Sequence, residues 1–241
     1  MLNGPRVPEA MRQMARDIGN FSMLIAPMLW EGNGIGTIHV VRQPPVPFTQ
    51  KEFSLLRTFA DQAVIAIQNA RLFNETQEAL AHQTATADIL RVISESPTDV
   101  QPVFDAIVAS GVSLFPGAAV AVSRPVGGEV RCVAIAEHDA ARAARWRDVF
   151  PFPLSRDYIH GAALLDCRVV DIADVLEEGG DFGAGKRNLS PAGYRAMTVV
   201  PMVRGAAAIG AIAVVRTSPG RLDEKHLALL QTFADQAVIA R

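Results

Sequence analysis

Thr58-Phe59-Ala60-Asp61-Gln62-Ala63-Val64-Ile65-Ala66 recurs unchanged as Thr232 to Ala240. The register between the two copies holds without a gap back to Met23 and Met197, and half of the aligned positions are identical. Self-similarity at a fixed spacing marks a duplicated structural unit. The chain therefore reads as two copies of one module, of which the first carries only the later half. The best-kept part of that module is a helix, not a loop rich in catalytic groups.

Upstream of the repeated helix, each copy has two apolar runs. They are Met23 to Leu29 and Gly36 to Arg42 in the first copy, and Met197 to Val203 and Gly210 to Arg216 in the second. Short turns at Glu31 to Gly34 and Gly205 to Ala208 separate the members of each pair, which is the pattern of a β-hairpin. The runs have few polar interruptions, so the strands are expected to be central in a sheet covered on both faces. The helix start is also duplicated. Thr49 and Glu52 make a capping box, with Phe48 and Phe53 placed as a hydrophobic staple. In the second copy Asp223 is the expected N-cap and Leu222 with Leu227 the staple.

In the first copy the helix does not stop. No proline or glycine occurs from Thr49 to about Glu95, enough for a rod of about 70 Å at 1.5 Å per residue. Leu56, Phe59, Ala63, Ala66, Ala70, Phe73, Gln77, Leu80, Thr84 and Ala87 follow one another at alternating three- and four-residue steps. That is a coiled-coil seam, weakened in its second half by Gln77 and Thr84. The dimer seam is read as Leu56, Phe59, Ala63, Ala66, Ala70, Phe73 and Leu80. Val64, Ile65 and Ile67 lie off it, available to cover the helix's own sheet.

Pro97 is expected to end the rod, and Thr98 and Asp99 to cap a new helix whose apolar face uses Val103, Phe104, Ile107, Val108, Val112 and Leu114. Strands are expected at Ala118 to Ser123 and Glu129 to Ala136. Helices are expected at Asp139 to Phe150 and near Asp157 to Leu165, followed by a short strand at Arg168 to Ile172. Gly179 to Pro191, polar and Gly-rich, reads as a mobile loop.

The 241 residues are 49% hydrophobic with a formal net charge of -2. That balance gives no electrostatic case for nucleic acid. Arg142, Arg145 and Arg147 cluster, but Asp139 and Asp148 dilute them, and a solvated helix face is the simpler reading. Cys132 and Cys167 are the only cysteines and lack metal-ligand spacing. With no signal peptide and no membrane-length apolar run, a cytoplasmic location with reduced thiols is expected.

Three stretches carry a family resemblance. They are the hairpin Val200-Pro201-Met202-Val203 to Ile209-Gly210-Ala211-Ile212-Ala213-Val214, the exit helix Leu229 to Ala240, and Arg168-Val169-Val170-Asp171-Ile172-Ala173-Asp174-Val175. Together they resemble the GAF domain. Ala70-Arg71-Leu72-Phe73-Asn74-Glu75-Thr76, followed by Ala87-Asp88-Ile89-Leu90-Arg91-Val92-Ile93-Ser94, is similar to the join between tandem GAF domains in bacterial sensor histidine kinases and cyclases. The resemblance implies an α+β fold with a GAF-like antiparallel sheet, flanking helices and a long inter-domain signalling helix. Residues 1–50 would be the C-terminal part of a truncated GAF domain, 51–96 the linker helix and 97–241 a GAF domain. It further implies a sensory segment of a longer signalling protein, with a homodimer through the long helix, an output domain outside this chain, an unknown small ligand, and no catalytic domain of its own.

The resemblance also directs attention to a pocket. Cys132, Tyr158, His160, Tyr194 and Met197 are its candidate lining residues; no cofactor is identified and no metal is expected. Cys132, beside Val133 and Ile135, reads as a buried inert thiol. His160 follows Asp157 and Tyr158 in the stretch expected over the pocket, where a haem or metal role is one reading, although a lone histidine reads more simply as a surface or capping residue. His82 reads as a solvated helix residue. Gly180-Asp181-Phe182-Gly183-Ala184-Gly185-Lys186 has the spacing of a phosphate-binding loop, but Arg187 stands where such a loop needs Ser or Thr. The hairpins end Val-Val-Arg rather than the Asn-Lys of cyclic-nucleotide GAF domains. No Ser-His-Asp grouping or carboxylate pair placed for acid–base work is apparent. A ligand-free dimerisation spacer, a thiol reductase and a nucleotide hydrolase remain the other readings.

Overall fold

Each apolar run identified above forms a strand, and the strands assemble into two separate sheets. The computed structural model describes residues 13, 16–17, 19–95, 99–177 and 182–239. Its contacts fall into two compact units, residues 1–78 and 79–241. The expected ends of the first long helix at Pro97 and of the second module at Arg241 lie outside the described residues.

In the first unit, β1 (Ser22–Trp30) and β2 (Asn33–Arg42) form an antiparallel hairpin, followed by helix α1 (Gln50–Glu95), whose residues from 79 onward belong to the second unit. The capping box forms as expected. The Thr49 N–H donates to Glu52 Oε2 at 2.7 Å, and the Glu52 N–H donates to Thr49 Oγ1 at 3.3 Å. Arg42 pairs with the same carboxylate and lies over the Phe48 ring. The Thr49 backbone donor and the Arg42 guanidinium hold Glu52 down to about 2.

Two expectations fail in this unit. Among the described residues its hairpin is a two-stranded sheet, not the centre of a larger one. It is covered on one face by α1, through Leu24, Ala26, Leu56 and Ala60, while Ile25, Leu29 and Val40 stay exposed. The stripe that meets the sheet is Leu56, Ala60 and Val64, spaced four residues apart as one helix face requires. Leu56 therefore belongs to the sheet-facing stripe, and Ile65 and Ile67, expected to cover the sheet, point to solvent. Phe59, Phe73 and Leu80 are 58%, 62% and 60% exposed.

The second unit is built on a six-stranded antiparallel sheet. Its strands are β3 (Ala118–Val126), β4 (Glu129–Ala136), β5 (Phe152–Pro153), β6 (Val170–Ile172), β7 (Ala196–Arg204) and β8 (Ala207–Arg216), in the order β5-β4-β3-β8-β7-β6. The second hairpin is interior as expected, and its unbroken apolar runs match burial on both faces. Helices α2 (Gln101–Leu114) and α6 (Glu224–Ile239) cover one face through Val103, Phe104, Ile107, Leu230 and Phe233, joined by Ile89 of α1. Helices α3 (Ala140–Arg147), α4 (Ile159–Asp166) and α5 (Gly183–Leu189) cover the other through Trp146, Ile159, Ala163 and Leu189. Asp223 caps α6 as expected, accepting from the His226 N–H at 2.9 Å. Thr98 lies outside the described residues, but Asp99 accepts from the Gln101 N–H at 2.9 Å.

The segment expected as a loop from Gly179 to Pro191 is helical from Gly183, and Ser190–Ala192 adds a 3₁₀ turn. Tertiary contacts override the poor propensity of its glycines. The Gly185 N–H donates to the Asp157 carbonyl at 3.1 Å, and Leu189 is buried. Gly180 and Asp181 of the phosphate-loop spacing lie outside the described residues, and Lys186 sits within α5 rather than at a strand-to-helix loop.

Both hairpins share one irregularity. The β1–β2 register slips between Met28 and Leu29, and the β7–β8 register slips between Met202 and Val203. In each, the methionine lies across a glycine of the facing strand. A Cβ on Gly36 would stand 2.5 Å from Met28 Cε, and one on Gly210 would overlap Met202 Cε and lie 2.8 Å from the Ser123 carbonyl oxygen.

Candidate functional site

The face covered by α3, α4 and α5 holds the candidate site. Helix α4 is buried almost all round, from Ile159 through Leu164. Its approach is tight because residue 161 is glycine: a Cβ there would collide with the Ser155 carbonyl oxygen and lie 2.8 Å from its carbon. The close turn sets the first two residues of α4 against the aromatic strand β5.

A small internal cavity of about 10 Å³ results, room for about one water-sized molecule. Trp146 of α3, Phe152 of β5, Tyr158 and His160 at the start of α4, Asn188 of α5 and Met197 of β7 contribute to its wall. Phe152 and Tyr158 stack with ring centroids 4.6 Å apart. Phe150 and Phe152 each approach the His160 ring at 5.5 Å.

His160 is the distinctive group. It is 4% exposed, and its Nε2 has no hydrogen-bond partner among the described residues. Burial pushes its pKa down to about 3, so the ring is neutral at ordinary pH. The surface or capping role read for a lone histidine is thus overturned. The rings that bury it arrive from Phe150 and Phe152, several residues earlier in the chain.

The structure brings Tyr158, His160 and Met197 to this cavity and leaves the other two candidates beside it. Tyr194 is buried with its ring 5.5 Å from Trp146, but its hydroxyl donates to Glu137 Oε2 at 2.6 Å rather than to the cavity. Burial and this carboxylate push the Tyr194 pKa well up. Cys132 packs against the same apolar cluster. Its Sγ donates to the Ala134 carbonyl at 3.4 Å, and burial raises its pKa. Cys167 closes α4 in a left-handed conformation and donates to the Leu164 and Ala206 carbonyls at 3.8 Å.

Sequence reasoning missed Trp146, Phe152 and Glu137. Helix α3 reads as a solvated basic face, yet Trp146 is buried on it and Arg142 reaches Glu137 Oε1 at 3.3 Å. The available signal was the tryptophan itself, a large apolar group in a helix otherwise rich in arginine. His82 sits half-buried on α1 with its ring edge-on to His226, centroids 6.2 Å apart.

No group of histidine, cysteine or carboxylate side chains among the described residues is arranged to hold a metal ion. No helix among them is long and apolar enough to cross a membrane.

The chain belongs to the GAF domain family, whose model matches residues 3–67 and 99–240. Solved structures agree on the fold. A GAF sensor protein from Burkholderia vietnamiensis superposes with a TM-score of 0.53 at 16% identity, covering 68% of this chain and 94% of that one. A free methionine-R-sulfoxide reductase from Neisseria meningitidis, in complex with its substrate, gives 0.54 at 18% identity over 68% and 89%. The GAF domain of a phosphoenolpyruvate-protein phosphotransferase from Coxiella burnetii gives 0.51 at 13% identity over 67% and 93%. No curated protein matches the chain. GAF is a sensory and regulatory fold, and its neighbours here range from sensors to a reductase.

Proposed function

We propose that this chain is the sensory and regulatory segment of a cytoplasmic signal-transduction protein. The second unit takes a small ligand at the His160 cavity, whose walls must part to admit anything larger than one water, and α1 passes the event through a parallel homodimer to an output domain, a histidine kinase fitting best. The observation that carries the ligand half is the buried, unpartnered Nε2 of His160 in a wall that is otherwise mostly apolar. A ligand that displaces water from the cavity and accepts or donates a hydrogen bond at this atom would be held in a fixed orientation by it. Binding energy applied at α4 and α5 is the differential contact that a population shift requires. The relay half is supported by the large apolar side chains that α1 leaves in solvent, Phe59, Phe73 and Leu80.

The small size of the cavity favours a second reading, a ligand-free dimerisation spacer. Thermal melting against small aromatic and heteroaromatic compounds, on the wild type and on His160→Phe, separates the two. A ligand at 100 times its Kd stabilises by about 2.7 kcal/mol, or about 5–11 °C at 2–4 °C per kcal/mol for a unit of this size. The sensory reading expects such a shift in the wild type and none in the variant. Equal shifts in both proteins, or none in either, would favour the spacer.

No catalytic chemistry is proposed. A reductase reading needs a thiol at the cavity, and neither cysteine is among its lining residues. Free methionine sulfoxide with a dithiol reductant is expected to give no turnover.

A further inference from the structure

The opposite face of the sheet has its own hollow, a groove of about 290 Å³ where the start of α2 meets the end of α6. Its apolar surface comes from Phe104, Met202, Ile209 and Ala237, and its polar lining residues are Arg124 and Arg204. The two arginines stand on β3 and β7, the strands on either side of β8. On β8, Gly210 faces Met202, whose side chain crosses it, and Arg124 Cγ lies 3.4 Å from where a Cβ would stand, while Arg204 pairs with Ala207.

The charges are unbalanced. No lining residue of the groove is acidic. Arg124 and Arg204 have no ion-pair or hydrogen-bond partner among the described residues. Both are exposed at the groove's rim; among the described residues Arg145, Arg147 and Arg187 of this unit also lack a carboxylate within 4.0 Å, but none of those lines the groove. A guanidinium presents a planar fork of donors suited to carboxylate or phosphate. The volume, about 290 Å³, falls just below the range for small-molecule pockets, about 300–1,000 Å³, and is too small for a docked helix.

We propose that this groove binds a small amphipathic organic anion. Its carboxylate or phosphate-ester head would lie between Arg124 and Arg204, and its alkyl part over Phe104, Met202 and Ile209. The site is separate from the His160 cavity and does not depend on it. Because it touches both α2 and α6, its occupant would bridge the helices that cover this face.

Octanoate is the probe, titrated against the full chain carrying methyl-labelled methionine, with the Met202 methyl signal followed by NMR. Octanol tests the tail without the charge, and acetate the charge without the tail. A saturable Met202 shift with octanoate is expected, with both controls at least about tenfold weaker. Arg124→Gln with Arg204→Gln should weaken octanoate by about tenfold or more, while His160→Phe leaves it unchanged. A motionless Met202 signal, acetate binding as well as octanoate, or an undiminished affinity in the double variant would overturn the proposal. Loss of octanoate binding in His160→Phe alone would also overturn it by showing the probe to be in the other cavity.

Discussion

Tyr194→Phe removes one oxygen from the base of the second unit and leaves the ring against Trp146. The lost hydroxyl donates to Glu137 at 2.6 Å, and the Glu137 side chain is 2% exposed. A hydrogen bond to a charged group contributes about 1.5–3 kcal/mol. For a unit of this size that is a fall in melting temperature of about 3–12 °C. The pH dependence adds a second signature. Burial raises the Glu137 pKa, but the hydrogen bonds from Tyr194 and Arg142 outweigh it and bring the carboxyl below its ordinary value. A lowered folded pKa contributes stability that is present above the unfolded value, about 4.3. That stability is lost as pH falls through the folded value. The gap between wild type and Tyr194→Phe in urea unfolding should therefore be full at pH 7 and shrink below about pH 4. Equal stability at pH 7, or a gap that persists undiminished into strong acid, would refute the reasoning.

Three further outcomes are expected. His160→Phe should flatten the acid side of the stability curve. The folded ring titrates at about 3, so wild-type stability is present above the unfolded value of about 6.5 and falls by up to about 1.4 kcal/mol per pH unit below it; parallel wild-type and variant curves from pH 7 to 4 would contradict this. Gly161→Ala should cost about 1–3 kcal/mol or more in urea unfolding, because its Cβ meets backbone at Ser155 rather than a yielding side chain. Phe73→Glu should move the chain toward monomer in sedimentation while the second unit melts unchanged; a monomeric wild type at high concentration would show the α1 seam to be misread.

The parts legible in the sequence are those whose cause is local. Thr49 with Glu52, and Asp223 with the His226 N–H, close over three residues, so residue type and spacing suffice. The hairpins follow from apolar runs and their turns. The parts that were not legible depend on distant partners. Strand β5 is two residues paired to β4, too short to show a period. Helix α5 begins Gly183-Ala184-Gly185 and is held by Asp157 and by its buried Leu189. The helix that carries His160 was legible, but not the burial of its ring, which depends on Phe150 and Phe152 folding over it. Along α1, the seam and the sheet-facing stripe share a helical period, and which residues face the sheet depends on the hairpin's placement. That is why Leu56 changed sides.

The slipped register of the two hairpins has a consequence for how the module can be taken apart. One hairpin stands as an isolated pair and the other lies inside a six-stranded sheet, yet both bulge at the same methionine opposite the same glycine. Among the described residues the two hairpins have different neighbours, and the same slip appears in both. The shared slip goes with the shared Met and Gly of the two hairpins, residues 22–42 and 196–216. Each position that differs between them reports what a surrounding sheet demands, as Trp30 against Arg204 and His39 against Ala213 do. The molecule thus holds an internal control, one piece of backbone set in two environments.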